Sequence, residues 1–128
     1  MRETVPMDIL YSILLALHLL GLAAIIGSFF VQMRRKSDFV LLPTLIGAIT
    51  QVVTGLALVG VAQAAIAGGA DFEIDNAKIA VKLVIAVVVL VAAIAAVVVQ
   101  RKGGRVQPFF HAAGGLAIAN LLVAVFWN

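Results

Sequence analysis

Few side chains in this sequence can do chemistry, and His18 stands out among them. It sits in the run ALHLLG at positions 16–21, inside an otherwise apolar stretch. An imidazole titrates near neutral pH, carries protons and ligates metals or haem iron. Held neutral in an oily setting, it hydrogen-bonds to another polar group instead. The residues at matching depth that could serve are Gln51, Thr54 and Asn120, and with His18 they form the candidate polar cluster at the middle of the molecule. In one reading the cluster holds helices in register. In the other, His18 ligates haem b or copper, or gates a polar path for a small solute.

A bis-histidine site would need His111, the second of two histidines. The helical rise places their depths about 10 Å apart, whereas two axial ligands must approach one iron from opposite sides. His111 also points away from Asn120, nine residues on. It is expected at the headgroups beside Arg105, and catalytic residues are not expected at all. Lys82 follows Lys78 by one helical turn and could hold an anion, or snorkel and pair with Asp8 or Asp75. The acidic turn with Asp71, Glu73 and Asp75 opens like a calcium loop. Asn76 and Lys82 then fall where such a loop needs glycine and glutamate, so a solvated turn is the better reading.

Composition fixes the setting for these groups. Of 128 residues 64% are hydrophobic and 12% charged, and cysteine is absent. Soluble domains are about half apolar and a quarter charged, so the expected solvent is a bilayer. The missing thiols exclude disulfide chemistry, thiolate metal sites and a cysteine nucleophile. The net charge of +3 reads as topology information and not as a nucleic-acid footprint.

The apolar surplus falls in four blocks, each near the ~20 residues that a membrane helix needs. They run over about 7–33, 40–67, 77–100 and 108–127. Pro43 and Pro108 stand near two helix starts, where a missing N–H costs little. Asp75 or Asn76 could cap the third helix. Arg34, Arg35 and Lys36 follow the first block, and Arg101, Lys102 and Arg105 follow the third. Most acids lie at the opposite end. The positive-inside rule therefore predicts cytoplasmic loops at 34–38 and 101–107, with both termini outside. The first block is too long for a signal peptide, and its basic flank follows it, so it should be retained. Phe29, Phe30, Phe39, Phe109 and Phe110 are expected in the inner aromatic belt, with Tyr11, Phe126 and Trp127 in the outer one.

Small and polar residues recur at helical spacing on each block, and such residues, not apolar ones, drive helices together in lipid. The seams are Tyr11, His18, Gly21, Ser28 and Gln32; then Gly47, Gln51, Thr54 and Gly55. The later pair are Lys82, Ala86, Ala93, Ala96 and Gln100; then Ala113, Ala117, Asn120, Ala124 and Trp127. The expected fold is all-α, a single antiparallel four-helix membrane bundle.

The stretches LHLLGLAAIIGSFF, VTGLALVG, NAKIAVKL and FHAAGGLAIANLLVAVFW resemble a group of small four-span actinobacterial membrane proteins of unassigned function. That likeness implies a bacterial plasma membrane. His18, the pair Thr54–Gly55 and Lys82 more distantly resemble the copper-resistance D and HemJ-like membrane families, which implies haem b or copper. Without catalytic groups, the leading expectation is a non-enzymatic accessory subunit or scaffold, partnered by lipid and by other subunits or further copies of itself.

Overall fold

The computed structural model describes residues 7–69 and 76–127, the side chains of Met7 and Asp8 excepted. Four helices account for nearly all of them: α1 (Met7–Gln32), α2 (Leu42–Ala67), α3 (Asn76–Arg101) and α4 (Gln107–Phe126). Each is long and apolar enough to cross a membrane, and each leaves bulky aliphatic side chains outside. Ile13, Leu20, Val53, Val84 and Val91 are all at least half exposed. In water that surface would be prohibitive, but in lipid it costs nothing.

The chain zigzags, so the basic loops share one end, and the start of α1 and the end of α4 lie at the other. The hairpins α1–α2 and α3–α4 are the most extensively packed pairs, followed by α2–α3 and then α1–α4. Contact follows side-chain size. Ala48, Ala93, Ala113 and Ala117 are buried around Ile25 and Val89 at the centre. Where α1 meets α2 the backbones nearly touch: a Cβ on Gly47 would lie 2.7 Å from the Gly21 carbonyl oxygen.

The basic half is filled by aromatics. Phe29, Phe39 and Phe110 turn inward, with ring centroids 5.8 Å apart for Phe29–Phe110 and 4.8 Å for Phe39–Phe110. Gly114 makes room for Phe29, since a Cβ there would sit 2.2 Å from the ring. This departs from the expected belt, of which Phe30 remains outside. A ring that can fill a gap against three helices gains more there than at the headgroups.

A polar clasp closes this end. Gln32 is buried, donates from Nε2 to Ser28 Oγ (2.8 Å) and the Val40 carbonyl (2.9 Å), and accepts from Val40 N–H through Oε1 (2.7 Å). Gln100 donates to the Phe39 carbonyl at 2.7 Å. These amides satisfy loop backbone that precedes the first turn of α2, which is why α2 begins at Leu42 and not at Val40. Losing such a partner leaves buried backbone groups unpaired, at roughly 1–3 kcal/mol. Gln32→Leu is expected to lower stability by about 2 kcal/mol, read as earlier unfolding in a denaturing-detergent titration. Exposed Gln63 changed to Leu should have no such effect.

Candidate functional site

Toward the terminal end the packing opens into a cleft of about 420 Å³. The reason is local. The facing residues there include Gly55, Ala62 and Ala86, too small to meet across the seam. Its long walls are apolar, from Leu15 of α1, Leu58 and Val59 of α2 and Leu83 of α3. Its polar lining is Tyr11, His18, Gln51, Lys78, Lys82 and Asn120.

Each helix contributes one stripe. Tyr11, Leu15 and His18 are spaced by four and three on α1, and Lys78, Lys82 and Ala86 by four on α3. Such residues share a helix face. Helical rise makes the α3 stripe about 12 Å long and puts Lys78 nearest the terminal end. His18 lies about two turns inward of Tyr11 on its stripe, and Gln51 of α2 lines both the cleft and the narrow gap beyond it.

His18 is fixed by one short bond, Nδ1 to Thr54 Oγ1 at 2.7 Å. Thr54 Oγ1 in turn donates to the Thr50 carbonyl, one turn back on α2, at 2.5 Å. A Cβ on Gly55 would reach His18 Cε1 at 3.5 Å, so the glycine leaves the ring edge uncovered. Asn120 donates from Nδ2 to the Lys82 carbonyl at 3.2 Å, tying α4 to α3 beside the cleft. Asn120 Oδ1 and Gln51 Oε1 are buried without a hydrogen-bond partner. A narrow gap of about 10 Å³ between Gln51 and Asn120 continues inward.

The candidate residues therefore meet in part as expected. His18 and Thr54 bond directly, and His18, Gln51 and Asn120 share one cavity. Sequence reading treated Lys78 and Lys82 as a separate outer site, but they line the same cleft. Of the expected salt-bridge partners, Asp75 lies outside the described residues, and so does the side chain of Asp8. Among described side chains the sole carboxylate is Asp38, in the basic loop at the far end. Tyr11, expected both in the outer belt and on the seam of His18, stands in the cleft wall at heptad spacing from His18.

His111 is elsewhere. Its ring packs edge-on against Phe29, 5.5 Å between centroids, and its Nε2 is buried among the aromatics of the basic half. The expected headgroup position fails because the ring completes the aromatic cluster. A bis-histidine haem or copper site does not fit this arrangement, since the two imidazoles line different parts of the bundle. No group of three or more His, Cys, Asp or Glu side chains is gathered among the described residues.

Fold and cleft define a helical-bundle membrane protein with four candidate spans and a ligand-sized opening at one end. Comparison with protein families, with curated proteins and with solved structures found no match.

Proposed function

We propose that this is a non-enzymatic multi-pass membrane protein whose cleft binds an anionic amphiphile. The observation that carries the reading is the lining. Lysines line a cavity whose long walls are apolar, with Leu15, Leu58, Val59, Ile79 and Leu83 beside a few uncharged polar groups. A cavity near 420 Å³ falls in the usual range for small-molecule sites. Apolar walls with few polar groups are likewise the usual composition of such sites. The half-buried Lys82 ammonium in a low-dielectric wall calls for an anion. A carboxylate or phosphate head would sit at Lys82 while its apolar tail follows Leu58, Val59 and Leu83. With the basic loops in the cytoplasm, the cleft opens toward the outer leaflet.

The test is saturable binding of radiolabelled decanoate by purified protein in lipid nanodiscs, with empty discs as background. Wild type is expected to show a saturable component that Lys82→Gln weakens. Equal binding by both proteins, or none above empty discs, contradicts the reading.

One observation favours a second role, as accessory subunit of a larger membrane complex. Helix α1 is the least covered span, 11% buried against 28% for each of the others. Ile9, Ile13 and Leu20 form part of its bare stripe. A single species of monomer mass from native membranes in mild detergent would count against that role.

A further inference from the structure

The proton on His18 can be located from its partners, and this narrows the ligand class. The argument rests on the cleft being an anion site, as proposed above. Thr54 has one hydroxyl proton, and a carbonyl can only accept. The 2.5 Å contact to the Thr50 carbonyl therefore uses that proton. Oγ1 is left to act as acceptor toward His18, so Nδ1 carries the hydrogen of the 2.7 Å bond. In the neutral imidazole Nε2 is then a bare lone pair.

Asn120 gives the same sign. Its Nδ2 must be the atom facing the Lys82 carbonyl, which fixes the amide orientation and leaves Oδ1 as a buried, unpartnered acceptor on a residue 9% exposed. Three lining residues, His18 of α1, Gln51 of α2 and Asn120 of α4, thus each bring an acceptor with nothing to accept from within the protein. Acceptors left unpaired in an apolar site are costly, and a ligand that supplies the donor recovers that cost.

We infer that the cleft selects amphiphilic anions carrying an O–H or N–H donor on the tail. The head meets Lys82, and the tail donor meets His18 Nε2. Plain alkyl anions fill the walls and leave that acceptor unanswered. Tail ethers, which only accept, are rejected. The His18–Thr54–Thr50 chain sets this polarity, and Thr54 is its positioning residue.

The experiment compares ω-hydroxydecanoate with ω-methoxydecanoate, each displacing radiolabelled decanoate from protein in nanodiscs. Wild type is expected to bind the hydroxyl form about tenfold more tightly, the effect of one answered acceptor. Thr54→Val removes the acceptor for Nδ1–H, frees the ring to carry its proton on Nε2, and is expected to abolish the preference. A preference that survives Thr54→Val is steric and overturns the inference. So does equal binding of the two ligands by wild type, even if decanoate itself binds, in which case the anion site stands without its donor rule. Failure of all three to bind removes both.

A second measurement needs no altered Thr54. In protein labelled with 15N-histidine, His18 is assigned by its loss in His18→Leu. Its signals should show a protonated Nδ1 and an unprotonated Nε2, with Nε2 moving on ω-hydroxydecanoate and not on decanoate. A protonated Nε2 in the neutral ring overturns the inference.

Discussion

Gly47→Leu is expected to lower stability by about 3 kcal/mol, the upper end for overpacking, with Gly60→Leu near zero. The two glycines lie on one helix thirteen residues apart and differ only in what faces them. A Cβ on Gly47 would stand 2.7 Å from a backbone oxygen, that of Gly21, and 2.7 Å from Ile25 Cγ1. A backbone atom cannot rotate aside, so α1 and α2 must separate. Around Gly60 nothing lies within 4 Å of the built Cβ. Helix propensity works the other way, since leucine is the better helix former at both sites. The measurement is unfolding of each variant in detergent, followed by helical signal. The Gly47 clash lies about one turn from Gln51 and two from Thr54, so the same variant should also break the His18–Thr54 bond. A matched loss in both variants would mean that α1 and α2 do not pack through these glycines.

Replacing both cleft lysines, as Lys78→Gln with Lys82→Gln, is expected to weaken decanoate binding about a hundredfold, and Lys82→Gln alone about tenfold. Tenfold corresponds to about 1.4 kcal/mol. That is modest beside the roughly 2–5 kcal/mol lost when one partner of a well-buried charge pair is truncated. Lys82 is only half-buried, and solvent near the mouth screens part of the attraction. Glutamine keeps most of the length and polarity, so the change reports charge. Lys82→Arg should retain binding, because an anionic head accepts from a guanidinium as readily. Loss in Lys82→Arg equal to that in Lys82→Gln would point to shape and not to charge.

The spans were legible because the bilayer imposes a strong constraint: some twenty apolar residues between polar turns. The helices begin and end within a few residues of their expected bounds. The central seam was also readable. Gly21, Gly47, Gln51, Thr54, Ala86, Ala93, Ala96, Ala113, Ala117 and Asn120 are all buried, as small and polar residues at helical spacing should be.

What sequence could not give was lateral position. Counting residues along each helix yields heights but not which stripes face one another. Lys82 was therefore read apart from His18, as a residue that holds an anion or snorkels. Only the packing of α3 beside α2 brings it into the cleft of His18. The inward aromatics were missed for a similar reason. A phenylalanine near a span end fits a headgroup belt or a core equally well until a facing gap such as Gly114 is known. Gln32 and Gln100 were assigned to seams, but their clasp on Val40 and Phe39 depends on the loop path, which no periodicity encodes.

The most direct test uses the absence of native cysteine. Leu83→Cys places one thiol in the cleft wall, and Val91→Cys places one on the exposed face of the same helix. Membrane-impermeant maleimide is applied to intact cells, with and without decanoate. The cleft account predicts that Cys at position 83 is labelled from outside and protected by decanoate, while position 91 in the lipid stays unlabelled. Labelling at position 83 only from the cytoplasmic side, or labelling that decanoate leaves unchanged, would contradict it.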